Sequence, residues 1–179
     1  MVDIKGRRIA MLATDGVEQV ELTEPAKALR DAGARVDVIS PKAGKIQGMN
    51  HDERGDSIAV DVVLKDAQAN DYDALVLPGG VANPDKLRIE REAVKFVEAF
   101  VAADKPIAAI CHGPWTLINA GGVKGKRMTS WPSLQADLIN AGARWTDEPV
   151  VKDRHLVTSR KPDDIPQFNQ AMIEMFAAG

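Results

Sequence analysis

The chain has 179 residues, 45% of them apolar and 27% charged, with 23 Lys and Arg against 26 Asp and Glu and a formal net charge of -3. That length suits a single packed domain, here 1–179, and the near-even charge balance argues against nucleic-acid or anionic-membrane binding. No apolar run approaches the roughly 18 residues that a membrane span requires, and one cysteine, Cys111, excludes an internal disulfide and any multi-cysteine zinc site.

The opening stretch MVDIKGRRIAMLATDG has neither the long apolar segment nor the small-residue cleavage site of a signal peptide, so a cytoplasmic protein is expected. Within it RRIAMLA (7–13) reads as a strand and TDG as a turn, and a helical pattern then runs from Val17 to Ala32 and stops at Gly33. ARVDVIS (34–40) is a second strand, which makes the opening the strand, helix, strand unit of a parallel sheet with a right-handed crossover. The polar, Gly-containing stretch 41–62, with alternation in SIAVDVVL, predicts a small hairpin at one edge of that sheet. YDALVLPGG (72–80) is a buried strand entering a Gly-Gly turn, and REAVKFVEAFVAADK (91–105) is an amphipathic helix with Val94, Val97 and Val101 on its apolar face. PIAAI (106–110) is the next buried strand. GPWTLINAGG follows as a short helix closed by Gly121 and Gly122, KGKR (124–127) as a solvated turn, and SLQADLINAGA (133–143) as a helix closed by Gly142. VVKDRHLVTS (150–159) reads as a hairpin around Lys152 to Arg154 and DDIPQFNQAMIEMFAA as the final helix. With no repeat, low-complexity tract or linker, the pattern is one α/β sandwich with helices on both faces of a mostly parallel sheet.

The stretch AAICHGPW (108–115) puts Cys111 at the carboxyl end of a core strand, where ligands bind in open parallel sheets. A strand that turns sharply into a helix makes a nucleophile elbow, and the small residues Ala109 and Gly113 permit such a turn. There the thiol would face the positive end of the next helix, which lowers a cysteine pKa, and His112 supplies a base. The competing reading is a small buried hydrophobe, since free cysteine is among the most buried residue types. The elbow and the adjacent histidine favour the reactive thiol. Leu117 stands where a phosphatase loop needs arginine, no second cysteine forms a redox pair, and His155 is followed by Leu156 and Val157 rather than by the His-x-Glu of a glutaminase triad. His51 and His155 have no partner at metal spacing and read as surface histidines, and Trp115 and Trp145 read as packing residues. Neither a phosphate loop nor a dinucleotide fingerprint is present, so no cofactor is expected.

Four segments, DGVEQVEL, DALVLPGG, AAICHGPWTLINAGGVKGKRMTSWPS and DLINAGARWTDEPVV, together resemble the PfpI family, over nearly the full length. That family belongs to the superfamily of the parkinsonism-associated deglycase and the class I glutamine amidotransferases. The resemblance implies a flavodoxin-like three-layer sandwich, a homodimer or larger assembly, and a site built around the elbow cysteine. It also implies stress-linked activities: peptidase, glutathione-independent glyoxalase, and removal of early glycation adducts. Carried over residue by residue, Cys111 is the nucleophile and His112 the histidine that assists it, with Asp85 in PGGVANPDKL reaching that histidine from a neighbouring subunit. Glu21 is the helical glutamate beneath the thiol, protonated so that it donates a hydrogen bond to sulfur, with Glu18 one turn earlier on the same face. Gly79 and Gly80 offer backbone N–H groups for an oxyanion. Trp131 stands where relatives often carry tyrosine, so an indole replaces a phenol that could serve as acid or base. The expected partners are small aldehydes, glycated side chains or peptides. Three readings stay open at this point: an enzyme acting on reactive carbonyls, a cysteine peptidase, and a non-enzymatic redox sensor oxidised at Cys111.

Overall fold

In the computed structural model, which describes residues 2–179, the first half of the chain runs β1 (Arg8–Leu12), β2 (Val17–Glu18), α1 (Gln19–Asp31), β3 (Arg35–Ser40), β4 (Lys45–Asn50), β5 (Glu53–Ala59), β6 (Val62–Val63), β7 (Ala74–Leu77) and α2 (Ala82–Leu87). The second half runs α3 (Arg91–Ala102), β8 (Ile107–Ile110), α4 (Pro114–Asn119), β9 (Arg127–Met128), α5 (Gln135–Asn140), β10 (Arg144–Trp145), β11 (Val150–Asp153), β12 (Leu156–Ser159) and α6 (Ile165–Ala178). Seven strands form the main sheet in the order β11-β12-β8-β7-β1-β3-β6, parallel except where β11 pairs antiparallel with β12.

The central strands are apolar on both faces because both faces are covered. In β1, Ile9 and Met11 point to a core shared with Leu22 and Leu29 of α1 and Phe168, Met172 and Phe176 of α6. Ala10 and Leu12 point to the opposite core, with Phe96, Val97 and Phe100 of α3 and Leu117 of α4. These two cores on one sheet are the three layers of the expected α/β sandwich. Among the described residues no helix is long and apolar enough to cross a membrane.

The structure departs from the sequence-based expectation in four places. The first helix begins at Gln19 rather than Val17, because Val17 and Glu18 are extended and pair parallel with Gly48 and Met49 of β4. The hairpin in 41–62 is β4 with β5, and it joins β2 in a separate three-stranded sheet; only Val62 and Val63 extend the edge of the main sheet. A helix, α2, follows the Gly-Gly turn, although Asn83 and Pro84 are poor helix formers. Pro84 lies in its first turn, where the missing N–H costs nothing, and Asn83 is buried and donates to the carbonyls of Pro78 and Gly79. Lastly, the solvated KGKR turn ends in a strand: Arg127 and Met128 pair parallel with Arg144 and Trp145.

The chain leaves β8 against the neighbouring backbone. A Cβ on Gly113 would press into the carbonyl oxygen of Leu77 and lie 3.0 Å from that of Ile110. Because both obstacles are main chain, Gly113→Ala is expected to destabilise the fold by about 3 kcal/mol, read as a lower urea midpoint with an unchanged slope. An unaltered midpoint would show that the elbow has slack that this packing does not contain.

Candidate active site

Cys111 follows the last residue of β8 and adopts φ 61°, the left-handed region that a residue with a Cβ rarely enters. Such a conformation costs about 1–3 kcal/mol and persists only where its surroundings enforce it. Here its N–H donates to the Ser159 carbonyl at 3.0 Å, its carbonyl accepts from the Trp131 N–H at 3.0 Å, and the Gly113 N–H returns to Ile110 at 2.9 Å. The strand end, the incoming Trp131 loop and β12 thus hold the sulfur at the head of the strand, as an elbow requires.

Glu21 lies in the first turn of α1 and is fully buried. Its Oε1 accepts the Gly79 N–H at 3.0 Å, whereas Oε2 is buried without a hydrogen-bond partner, and the carboxyl as a whole adjoins the Cys111 thiol and the Gly80 N–H. Burial, and next to it the charge of Glu18, pushes the Glu21 carboxyl up to about 8. It is therefore neutral at pH 7, and with Oε1 accepting, the proton belongs on Oε2. Gly79 is what allows this approach. A Cβ there would stand 2.5 Å from Glu21 Oε1, 2.7 Å from Cys111 Cβ and 2.8 Å from the Ile110 carbonyl. The same bond corrects the expected oxyanion pair: the Gly79 N–H is engaged by Glu21, and Gly80 alone of the two turns its N–H toward the sulfur.

His112 Nδ1 lies 3.2 Å from Cys111 Sγ. Its ring is stacked on Trp131 with centroids 5.9 Å apart and meets the edge of Trp115 at 5.0 Å. Trp115 is itself tied by Nε1 to Asp137 at 2.9 Å. The packing tryptophan of the sequence reading therefore also positions the imidazole. Trp145, by contrast, donates to Ser130 Oγ and stays in the core layer. Asp85 is exposed on α2, outside the cavity that His112 lines. Among the described residues no carboxylate reaches the second ring nitrogen of His112.

Burial pushes the Cys111 thiol up, and an ionised Glu21 would push it further, while the N–H groups of Gly80 and His112 pull it down. The lowered thiol pKa expected from the elbow is thus corrected: at 6% exposure the sulfur loses more hydration than the nearby N–H groups return. Burial also holds His112 below the usual histidine range. All three shifts favour the neutral forms: thiol, imidazole and carboxyl.

These residues form the floor of a cavity of about 590 Å³ at the carboxyl ends of the parallel strands. Gly16, Gly80 and Pro162 line it from the loops after β1, β7 and β12, Trp131 from the loop after β9, and Met49, His51 and Asp52 from the β4–β5 hairpin. Glu18 lines it from β2, so it is not on the Glu21 helix as expected; both its oxygens accept the His51 N–H at 3.2 Å. His51 was read as a plain surface histidine, and its ring is exposed, but its backbone shapes the site. Nothing in NHDERGD marks it. Its role follows from the register of β2 on β4. His155 is a surface residue whose Nδ1 lies 3.1 Å from Asp104 Oδ2.

A family model described as DJ-1/PfpI matches residues 7–175. Protein/nucleic acid deglycase 2 of Escherichia coli K12 is 40% identical over 174 residues, 96% of this chain and 99% of the relative. YraA of Bacillus subtilis, named provisionally as a cysteine protease, is 43% identical over 169 residues, 94% of this chain and 98% of the relative. Among solved structures, Drosophila melanogaster DJ-1beta superposes with a TM-score of 0.87 at 29% identity, covering 97% of this chain and 91% of its own. The chain therefore belongs to the DJ-1/PfpI family.

Proposed function

We propose that this chain is a cysteine-dependent enzyme for reactive carbonyls, acting on α-oxoaldehydes such as methylglyoxal and on the early adducts they leave on side chains. The observation that carries the reading is the meeting of Cys111, His112 and Glu21 in one cavity, with the Cys111 sulfur 3.2 Å from His112 Nδ1. The relatives named as deglycase and as cysteine protease are in keeping with an enzyme in this family.

As Cys111 attacks the aldehyde carbon, its proton passes to His112 Nδ1, and Glu21 Oε2 donates to the sulfur while negative charge develops there. The aldehyde oxygen takes a proton from the imidazolium, which leaves a hemithioacetal and a neutral His112. His112 then moves the C1 proton to C2 through an enediol, converting the hemithioacetal to a thioester. Water cleaves that thioester, releasing lactate and the thiol, so one water and one methylglyoxal become one lactic acid without any oxidant. An adduct on a side-chain nitrogen enters at the first step, with the amine as leaving group.

A peptidase would hold its tetrahedral oxyanion on the Gly80 and His112 N–H groups alone, since Gly79 has given its N–H to Glu21. A peroxide sensor works best with an exposed thiolate, and this sulfur is a buried thiol. The proposal includes a second subunit, whose Asp85 supplies the missing partner of His112. Lactate release from methylglyoxal is to be measured beside cleavage of a fluorogenic peptide by the same preparation. Lactate without cleavage is expected. Cleavage without lactate would transfer the site to peptide bonds, and neither activity with a Cys111-dependent mass gain under peroxide would make it a redox sensor.

A further inference from the structure

Asn83 is fully buried in α2, a short helix for which asparagine is a poor former. A buried carboxamide is costly unless its polar atoms are engaged, and here the oxygen and both N–H donors are. Oδ1 accepts the Thr14 N–H at 2.8 Å, and Nδ2 donates to the Pro78 carbonyl at 3.1 Å and to the Gly79 carbonyl at 3.0 Å. The Thr14 N–H can meet only the oxygen, so it fixes which end of the carboxamide faces the two carbonyls. All three partners are main chain, in the loops that leave the carboxyl ends of the neighbouring central strands β1 and β7.

The two carbonyls that Asn83 holds belong to successive peptide units. The Pro78 carbonyl shares its plane with the Gly79 N–H, and the Gly79 carbonyl shares its plane with the Gly80 N–H. No described peptide bond is cis, so each N–H points away from the carbonyl that is held. The first meets Glu21 Oε1 at 3.0 Å, and the second faces the Cys111 sulfur. Neither glycine has a side chain to resist rotation of the plane between them, and Gly80 sits at φ 79°. The other bond to the Gly79 carbonyl among the described residues, from the Glu18 N–H, is longer at 3.3 Å. We infer that Asn83 is a positioning residue of this site: one carboxamide sets two successive peptide planes, which aims the Gly79 N–H at Glu21 and the Gly80 N–H at Cys111. The inference rests on the reading of Cys111 as the reactive group, whichever substrate the thiol attacks.

Asn83→Ala frees both planes, and two readings without turnover test the result. Cys111 is expected to react with iodoacetamide about tenfold more slowly than in wild type at pH 8, because a thiolate that loses the Gly80 N–H forms about one pH unit higher. The Glu21 carboxyl, followed by carbon-13 NMR, should titrate above its wild-type midpoint of about 8, because its charged form loses the Gly79 N–H. A merely structural role moves neither. Val97→Ala, which opens a cavity in the core on the face of the sheet away from Glu21, is the control for lowered stability and should leave both readings at their wild-type values. Asn83→Asp keeps the acceptor for Thr14 and, when protonated, one donor, so it should fall between Asn83→Ala and wild type; it decides the matter if Asn83→Ala does not fold. In the wild-type protein, which needs no substitution, the Asn83 side-chain amide protons should be protected from hydrogen exchange. A wild-type alkylation rate in a folded Asn83→Ala or Asn83→Asp protein, an unmoved Glu21 titration, or free exchange of the Asn83 amide would overturn the inference. Both shifts in a family of variants whose parent makes no lactate would sink the carbonyl reading alone, and lactate formation by a parent whose Asn83 variants show neither shift would sink this inference alone.

Discussion

Cys111→Ala and Asp85→Ala, each nearly inactive alone, are expected to recover activity when they are denatured together in equal amounts and refolded. The single losses should be large: a missing nucleophile removes the covalent route, and kcat is expected to fall by about a thousandfold or more. Asp85 is exposed on α2 and lies outside its own chain's cavity, while the second nitrogen of His112 has no carboxylate within reach among the described residues. If that carboxylate comes from a two-fold partner, random reassortment makes about half of the dimers mixed, and each mixed dimer owns one site with both groups intact. The expected recovery is roughly a quarter of wild-type activity per total site. In a site completed within one chain, no mixed dimer contains an intact pair. Absent recovery, with mixed dimers verified by mass-tagged subunits, would therefore mean that Asp85 serves its own chain or has no catalytic role.

The second large effect is on stability. Glu21 titrates at about 8 in the folded chain against an ordinary value of 4.5. Between those values the unfolded chain has released the proton that the folded chain retains, so the Glu21 contribution to stability falls as pH rises and is lost above about 8. At about 1.4 kcal/mol per pH unit, the stability difference between Glu21→Gln and wild type should move by about 4 kcal/mol in the variant's favour from pH 5 to pH 8. Urea denaturation at the two pH values measures it, and a constant difference would mean that Glu21 is already ionised. Thiol alkylation gives a second reading of the same carboxyl. Gln keeps a donor toward the sulfur and carries no charge, whereas Leu removes the donor, so the alkylation midpoint of Glu21→Leu should lie above that of Glu21→Gln.

The strand ending at Ile110, the sharp turn at Cys111 and the adjoining His112 could be read from PIAAICHG, because strand, turn and base are local in sequence. The burial of Glu21 beneath the thiol came from a family resemblance and depends on packing: only the absence of a Cβ at Gly79, 58 residues away, lets the carboxyl approach. The upward shift of the thiol is not legible in the sequence for a related reason. The elbow is a local feature, and its favourable N–H groups are visible in the chain, but desolvation is set by everything that surrounds the sulfur.

By itself the sequence determined the alternation of apolar strands and amphipathic helices, hence a parallel sheet covered on both faces, and the place of the single cysteine at one strand end. Those are short-range properties, written in hydrophobic period and in which residues flank a turn. Only the tertiary structure decided that β2 leaves the first helix to pair with β4, that the β4–β5 hairpin lines the site rather than edging the main sheet, and that Glu18 and Asp52 share a cavity with Cys111. Those facts depend on register between segments some 30 to 90 residues apart, where a shift of one residue would turn each side chain to the opposite face while leaving the sequence pattern unchanged.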